Sequence, residues 1–385
     1  MKKNKIKGLA LGLSLLAMYG CTPSGNKEET ESETKTETEE VKDIELFVGT
    51  YTKRDSKGIY RFTFNPETAE TSLVSVTEGI EDPSFLALSP DQKYLYSVSE
   101  LKTGSVFAYS IGDSSLTEID NALSGGVHPC HVAVDKTGKW VIAANYSSGS
   151  LAVLPVLENG GVGEAVQVIQ HEGHGPDKGR QAGPHVHSVN IAPNNKDVFV
   201  CDLGIDKIMA YRLDEATGQL TEGNSVDVKP GSGPRHFAFH PNGEYAYLIQ
   251  EMGNLVTAYK YSDGKLEEIQ EVNTLPEGFE ERSACADIHI SNDGKFLYGS
   301  NRFHDSIVIF AIDPETGELN LVSHHSVMGQ VPRNFALTPD NKYLLVANQE
   351  SDDIIVFSRD ADTGKITPTG QKIAVSMPVC LIFRK

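Results

Sequence analysis

The chain has 385 residues and a formal net charge of −19, with an ordinary 39% of hydrophobic residues, enough for a globular core. This negative charge argues against nucleic acid as a partner, because phosphate contacts need clusters of Lys and Arg. The length is typical of two or three domains, but all-β folds of this size often form a single domain.

Residues 1–21 have the pattern of a secretory signal peptide. A basic stretch, MKKNKIK, precedes a short apolar stretch, GLALGLSLLAM, that is too short to span a membrane. Cys21 follows a small residue, as the lipid-modified cysteine does at a bacterial lipoprotein cleavage site. We therefore expect export and a lipid anchor at Cys21 in the bacterial cell envelope, on its periplasmic or surface side. An ordinary signal peptide that is cut nearby is the alternative.

Residues 22–43 contain the acidic, low-complexity sequence KEETESETKTETEE. This segment has too few apolar residues to offset the entropy of ordering, so we predict a disordered tether. Four further cysteines are widely spaced, without a CxxC or Cys-His zinc pattern, and we expect them to be buried free thiols: Cys130, Cys201, Cys285 and Cys380.

Residues 44–385 repeat a unit of about fifty residues. The turn that divides the first two strands of each unit has the sequence LSPDQK, VDKTGK, IAPNNK, FHPNGE, ISNDGK or LTPDNK. Each turn carries residues that favour tight reversals, and apolar strands flank it. Third strands follow, and turns such as TGQL and TGEL lead into fourth strands. Four short antiparallel strands per unit predict an all-β propeller blade.

Six complete units and two partial ones predict a seven-bladed β-propeller. The C-terminal MPVCLIF is typical of a first strand, whereas the N-terminal IELFVGTYT is typical of a second strand and GIYRFTFN of a third. We therefore predict that the chain ends pair within one blade and so close the ring, which protects two sheet edges. A β-solenoid is the alternative, but its repeats are shorter and need no closing blade.

Arg235 and Glu251 are predicted to meet at one mouth of the central channel. The first strand of an antiparallel pair starts where the second ends, and the innermost strands of a propeller surround the channel. The positions equivalent to Arg235 are Ser84, Cys130, His187, Ala286, Arg333 and Val379, and those equivalent to Glu251 are Tyr51, Glu100, Tyr146, Leu203, Arg302 and Gln349. Charged groups that converge in a concavity indicate a site for a small anion.

The sequence resembles the seven-bladed lactonase family, the propeller type of 6-phosphogluconolactonase, which also includes a fungal carboxymuconate-lactonizing enzyme. The resemblance covers residues 44–385 and rests on the motifs FVGTYT, HPCHVAVD, GPHVHSVNIAP, GPRHFAFHPNG, SNR and VPRNFALTPD. It implies a propeller fold and an active-site group of His187, Arg235, Glu251 and Arg302.

These residue types suit lactone hydrolysis, in which water adds to an ester carbonyl and an oxyanion develops. His187 or Glu251 could take the proton from that water. A Glu close to two Arg has a low pKa and is a weak base. We therefore favour His187 as the base, with Glu251 orienting it or the water, although the opposite assignment stays open. Arg235 and Arg302 would stabilise the oxyanion or hold an anionic group of the substrate.

Substrate binding is assigned to residues at or beside the ring positions: Tyr51, Glu100, His131, Tyr146, His185, His236, Asn301, Arg333 and Gln349. Hydrogen bonding between blades is the alternative role for His131 and His236. His185 and His187 form an H-x-H pair, but no third metal ligand accompanies it, so we expect no metal and no cofactor. The insertion HEGHGPDKGRQAGPHVH precedes an innermost strand and is expected to overhang the channel mouth as a lid.

The sequence thus predicts a monomeric lactonase for a small anionic sugar lactone, most simply 6-phosphoglucono-1,5-lactone. Two alternatives remain at this point. One is a cycloisomerase that acts on a muconate-type diacid, and the other is a lipid-anchored propeller that binds a carbohydrate or protein without catalysis. The fold alone does not distinguish them, because propellers have many functions.

Overall fold

Seven antiparallel sheets are arranged in sequence in a computed structural model that describes residues 42–384. The predicted signal peptide, Cys21 and nearly all of the predicted tether lie outside these described residues. The all-β, seven-bladed prediction is confirmed. Within residues 42–384, no helix is long and apolar enough to cross a membrane.

Each sheet is one blade, and its strands follow one another from the channel outward. The closing blade consists of β29 (Pro378–Arg384), β1 (Ile44–Thr50), β2 (Gly58–Phe64) and β3 (Thr71–Glu78). The next blade consists of β4 (Leu86–Leu88), β5 (Tyr94–Ser99), β6 (Ser105–Ile111) and β7 (Leu116–Leu123). It is followed by β8 (Pro129–Val134), β9 (Trp140–Asn145), β10 (Ser150–Pro155) and β11 (Gln167–Gln170).

The remaining four blades repeat this order, with one exception in an outer strand. The first consists of β12 (Val186–Ile191), β13 (Asp197–Asp202) and β14 (Lys207–Leu213), and its outer strand is split into β15 (Leu220–Glu222) and β16 (Val226–Asp227). The second consists of β17 (Pro234–Phe239), β18 (Tyr245–Gln250), β19 (Leu255–Ser262) and β20 (Lys265–Asn273). The last two are β21 (Ala284–Ile290), β22 (Phe296–Arg302), β23 (Ser306–Ile312) and β24 (Leu319–Ser326), then β25 (Pro332–Leu337), β26 (Tyr343–Asn348), β27 (Asp353–Arg359) and β28 (Ile366–Ala374).

The innermost strands form a closed ring around the channel. Contacts run from β29 to β4, β8, β12, β17, β21, β25 and back to β29. The predicted pairing of the chain ends is confirmed, since β1 lies antiparallel to β29, with Leu46 opposite Phe383 and Gly49 opposite Cys380. The N-terminal strand is the second strand of the closing blade and the C-terminal strand is the first, as the sequence indicated.

The repeated turn has the same backbone conformation in six blades. One residue in each turn has a positive φ, between 57° and 74°, and its amide donates a hydrogen bond three residues back. Five of the six are residues that tolerate this left-handed conformation best, Gly or Asn. The six residues are Gln92, Gly138, Asn195, Gly243, Gly294 and Asn341. The turn chemistry therefore fixes the register that carries polar residues to the channel mouth.

The blades pack against each other through apolar faces that combine strands of neighbouring sheets. One such cluster contains Tyr247 and Ile249 of one blade together with Leu297 and Phe310 of the next. The glycines of the outer TG turns fit beneath aromatic rings, so a Cβ on Gly317 would lie 2.5 Å from the ring of Tyr245. The four cysteines of the described chain are buried and free, as expected.

Candidate active site

A β-bulge interrupts several innermost strands at the end that faces the channel mouth. In β17, Pro234 pairs with Gln250 and His236 with Ile249, which leaves Arg235 without a partner in the ladder. The same shift leaves Cys130, His187 and Arg333 unpaired in their strands. A bulge redirects the side chain of the extra residue. The bulges therefore account for the convergence of chemically different side chains at one place.

These side chains surround a cavity of about 250 Å³ at the channel mouth. Its lining residues come from the strands and connecting loops of six blades: Glu100, Cys130, Tyr146, Arg180, His187, Glu251, Arg282, Ala284, Arg302, Phe303 and Arg333. A narrow extension continues into the channel and is lined also by Tyr51, Ser84, Phe85, Arg235, His236, Asn334 and Val379. The site is thus built from segments that are far apart in sequence.

Glu251 is the centre of an arginine cluster. Its Oε2 lies 3.0 Å from Nε of Arg235 and 2.8 Å from Nη2 of Arg302, and its Oε1 lies 2.6 Å from Nη2 of Arg180. Burial opposes ionisation of this carboxyl, but the charges of Arg302, Arg235 and Arg180 outweigh that effect and lower its pKa. Glu251 is therefore held as a carboxylate and is a poor proton acceptor near neutral pH.

Arg235 is fixed on every side and is almost inaccessible to solvent. Besides Glu251, its guanidinium donates from Nη1 to the carbonyl of Ala286 at 2.5 Å and to Nε2 of His236 at 3.2 Å. His236 in turn donates from Nδ1 to Asp287 at 2.7 Å. Burial and the charge of Arg235 lower the pKa of His236 to about 4, so that its ring is neutral and its Nε2 can accept. Arg235 therefore orients Glu251 from below the cavity.

His187 provides the uncommitted nitrogen of the cavity. It is only 4% exposed, and its Nδ1 faces the thiol of Cys130 at 3.9 Å. Within residues 42–384 its Nε2 has no hydrogen-bond partner, and no bond joins His187 to Glu251. Burial, together with the charge of Arg235, holds the pKa of His187 well below its usual range. The ring is therefore neutral, and the expectation that Glu251 orients it finds no contact to support it.

Arg333 has no carboxylate partner within ion-pair distance in the described part of the chain. Its guanidinium lies over the ring of Tyr51, 5.4 Å from the centroid. Tyr51 donates from its hydroxyl to Glu100 at 2.9 Å, and Ser84 donates to the same carboxylate oxygen. Burial lowers the pKa of Arg333, but the nearby Tyr51, Glu100 and Glu251 raise it by more. The net shift is therefore upward. Arg333 is therefore a permanent cation whose donors remain available to a bound anion.

The site as a whole has an excess of three positive charges. Five arginines face two glutamates in the cavity and its extension: Arg180, Arg235, Arg282, Arg302 and Arg333 against Glu100 and Glu251. The complete chain, by contrast, carries a net charge of −19. A basic concavity in an acidic protein attracts small anions and concentrates them at the site.

The long insertion before β12 reaches the cavity through Arg180. Besides Glu251, the guanidinium of Arg180 contacts the hydroxyl of Tyr146 at 3.3 Å. The insertion is anchored on both sides of Arg180, by His171, whose Nδ1 bonds to Asp202 at 2.7 Å, and by Gln181, whose Nε2 donates to Leu203 O at 2.9 Å. It thus supplies one side chain to the cavity wall from a held position.

The structure brings together some of the residues assigned from the sequence and separates others. The four residues assigned to catalysis lie in the cavity or its extension, as do five of those assigned to substrate binding: Tyr51, Glu100, Tyr146, His236 and Arg333. The other four are absent from both linings and have internal partners: His131, His185, Asn301 and Gln349. Of the two roles left open for His236, the contact to Asp287 is a hydrogen bond between blades.

Three functional candidates are loop residues that the sequence did not single out individually. Arg180 lies in the insertion, while Arg282 and Phe303 lie beside the ends of β21 and β22. Phe303 directly follows the SNR motif, and this adjacency is the signal that could have identified it. Arg282 has no comparable signal, because the loop that carries it does not repeat between blades. Among residues 42–384, no group of three or more His, Cys, Asp or Glu could hold a metal ion.

The fold defines the class of protein, a seven-bladed β-propeller, and comparison with known proteins identifies its family. The family model described as "Lactonase, 7-bladed beta-propeller" matches residues 45–383. The 6-phosphogluconolactonase of Bacillus subtilis (strain 168) is 39% identical over 342 residues, which are 88% of this chain and 97% of that protein. The 6-phosphogluconolactonase of Formosa agariphila is 41% identical over 307 residues, 76% of this chain and 86% of that protein.

A solved structure matches the fold along nearly the same length. The periplasmic gluconolactonase of Pseudomonas aeruginosa is 34% identical with a TM-score of 0.85, and the match covers 89% of this chain and 99% of that one. The chain therefore belongs to the seven-bladed β-propeller lactonase family.

Proposed function

We propose that this protein hydrolyses a sugar lactone, with 6-phosphoglucono-1,5-lactone as the first candidate substrate. The observation that carries the proposal is the pairing of a neutral, uncommitted His187 with a surplus of arginine in one cavity. Hydrolysis of an anionic lactone needs three elements: a base, a cation that stabilises the developing oxyanion, and a positive electrostatic field that attracts the substrate.

The roles of the residues follow from their partners. Nε2 of His187 takes a proton from a water molecule, and the hydroxide attacks the lactone carbonyl carbon. Arg333, which has no carboxylate partner among the described residues, stabilises the oxyanion that forms. Collapse of the tetrahedral intermediate breaks the ring C–O bond, and the proton returns from His187 to the leaving ring oxygen. The product is an open aldonic acid with one new hydroxyl, and its new carboxyl group releases its proton to solvent to give the aldonate.

The buried ion cluster has a supporting role in this scheme. Arg235 and Arg302 are held by Glu251 and by main-chain carbonyls, including Cys285 O at 2.9 Å from Nη2 of Arg302. Burial, and in addition the charges of these two arginines, lower the pKa of His187, so its ring is unprotonated near neutral pH. Glu251 is in turn needed to keep several arginines together in a buried place.

An unphosphorylated sugar lactone is the second candidate substrate, favoured by the N-terminal sequence. We propose export and lipid attachment at Cys21, and phosphorylated sugars are mainly cytosolic metabolites. The similarity to a protein named periplasmic gluconolactonase supports this candidate. Labelling of cells with palmitate, compared between the wild type and Cys21→Ser, tests the anchor, and equal labelling would contradict it.

The experiment that tests the proposed function compares two lactones. The full chain is assayed in a pH-stat with 6-phosphoglucono-1,5-lactone and with glucono-1,5-lactone, after subtraction of spontaneous hydrolysis. We expect hydrolysis of at least one lactone, and a decrease of about 10²–10⁴-fold in kcat for His187→Ala, because general-base catalysis commonly contributes that much.

His324→Ala is the matched control. His324 lies on the outer strand β24, where its Nε2 bonds to the carbonyl of Thr274 at 3.0 Å, away from the cavity. We expect this variant to keep the wild-type rate. Hydrolysis no faster than the spontaneous reaction, or equal rates for wild type and His187→Ala, would refute the lactonase and favour a binding module. Cyclisation of a muconate-type diacid with no lactone hydrolysis would favour the cycloisomerase.

A further inference from the structure

Arg282 and Phe303 form a stacked pair at the rim of the cavity. The guanidinium carbon of Arg282 lies 3.9 Å from the centroid of the Phe303 ring. Arg282 is exposed, and in the part of the chain that the structure describes it makes no ion pair with a carboxylate. Phe303 is 40% exposed although it is a large apolar residue. Both side chains line the cavity that holds His187 and Arg333.

Phe303 also has an unfavourable backbone conformation. Its φ is +73°, a left-handed value that is rare for a bulky side chain. Four of the corresponding turns in other blades contain one left-handed residue each, namely Gly149, Asp206, Asn254 and Asp352. In this blade the equivalent Asp305 is left-handed as well, so Phe303 is an additional strained position.

This strain is not offset by full burial, because Phe303 remains 40% exposed. Backbone strain of this kind persists where the surrounding structure imposes it, and it is concentrated at ligand-binding positions. The strained backbone directs an aromatic ring toward the cavity rim, and the ring in turn supports a guanidinium. Stacking leaves the in-plane N–H donors of an arginine free to bind phosphate in a bidentate manner.

We propose that the Arg282–Phe303 pair is a recognition site for the 6-phosphate of the substrate, which selects phosphorylated over unphosphorylated sugar lactones. The inference rests on the proposed lactonase function. Arg333 lies with His187 inside the cavity, where the carbonyl would react, whereas Arg282 lies at the rim. A substrate with its lactone carbonyl inward would present its phosphate to that rim.

The test measures substrate selectivity in the full chain. For Arg282→Gln we expect kcat/KM for 6-phosphoglucono-1,5-lactone to fall about 10- to 100-fold, since hydrogen bonds to charged groups contribute on that scale. We expect kcat/KM for glucono-1,5-lactone to change less than about threefold, because that substrate lacks the phosphate. Arg212→Gln, an exposed arginine that pairs with Asp197 outside the cavity, should leave both values unchanged.

Phe303→Gly provides an independent readout. Glycine tolerates a positive φ, so this variant should raise Tm while it weakens the preference for the phosphorylated lactone. Phe303→Tyr should retain both the stacking and the preference. As a binding measurement that does not depend on turnover, 6-phosphogluconate should raise the Tm of the wild type more than gluconate does, and this difference should disappear in Arg282→Gln.

Three outcomes would overturn the inference. One is a wild type that hydrolyses both lactones with equal kcat/KM, and another is a loss in Arg282→Gln that is equal for both substrates. The third is a phosphate-selective loss in Arg333→Gln and not in Arg282→Gln, which would place the phosphate inward. A wild type that hydrolyses neither lactone would refute the proposed function instead, and the comparison of 6-phosphogluconate with gluconate would then decide the phosphate site by itself.

Discussion

Replacing Glu251 with Gln should destabilise the protein strongly and in a pH-dependent way. The substitution leaves the shape of the side chain almost unchanged but removes the charge that Arg180, Arg235 and Arg302 share. Removing one partner of a buried ion pair typically costs about 3–5 kcal/mol, because the remaining charge is left uncompensated. We therefore expect the free energy of unfolding at pH 7, measured by urea denaturation, to fall by about this amount.

The direction of the pKa shift of Glu251 determines how its contribution to stability changes with pH. The pKa of Glu251 is lower in the folded state than in the unfolded chain, where a Glu has a pKa of about 4.3. Its stabilising contribution is therefore complete above that pH and is lost as the pH falls toward the depressed folded value. The difference in unfolding free energy between wild type and Glu251→Gln should be constant above about pH 5 and should shrink below pH 4.

Glu100→Gln is the matched control for this experiment. Glu100 occupies the equivalent ring position in another blade, but its carboxylate accepts from the hydroxyls of Tyr51 and Ser84 and has no ion-pair partner among residues 42–384. We expect a loss of about 1 kcal/mol, the scale of an ordinary hydrogen bond. Equal losses for the two variants, or a Glu251→Gln difference that stays constant down to pH 3, would refute the reasoning about the arginine cluster.

Three further predictions concern the base, the oxyanion and the closure of the ring. Since the pKa of His187 is lowered, kcat/KM should stay constant as the pH falls through 6.5 and decline only at lower pH; a midpoint at or above 6.5 in a pH–rate profile would contradict this. Arg333→Gln should lower kcat by about 10²–10³-fold with a smaller change in KM, and a change in KM alone would exclude the oxyanion role. Deletion of residues 378–385 removes β29 and exposes β1, so we expect loss of cooperative thermal unfolding by circular dichroism; an unchanged Tm would contradict closure by the chain ends.

The fold was predictable because the repeating turns mark each blade independently. Six turns share the same left-handed position, and the two chain ends carry complementary parts of a seventh blade. The register also placed Arg235 beside Glu251, now seen as a contact of 3.0 Å. Local turn chemistry and strand length thus carried enough information to fix which strand ends meet at the channel.

The details of the site were less predictable, since register gives the position of a residue but not the direction of its side chain. Asn301 and Arg302 are neighbours on β22, and neighbours on a strand face opposite sides. Arg302 turns to Glu251, whereas Asn301 turns into its own blade and donates to Thr274 O at 2.8 Å. The bulge at Arg235 was hidden as well, because an extra residue leaves the apolar pattern of a short strand intact.

The insertion was expected at the channel mouth, but the loop side chains that reach the cavity could not be predicted in this way. Arg180 and Arg282 lie in segments that do not repeat between blades, so no equivalent positions exist to compare. Whether these side chains reach the cavity depends on how the loops fold over the channel mouth. Arg180 does so, since its Nη2 lies 2.6 Å from Oε1 of Glu251. Loops of this kind carry much of the specificity of a rigid scaffold.

A crystal structure of the protein with 6-phosphogluconate would test most directly whether the channel mouth is the site of lactone hydrolysis. We expect the product carboxylate within hydrogen-bond distance of His187 Nε2 and the Arg333 guanidinium, with the phosphate on Arg282. A ligand bound elsewhere on the propeller, with the arginine-rich cavity left to solvent, would contradict the assignment of the site.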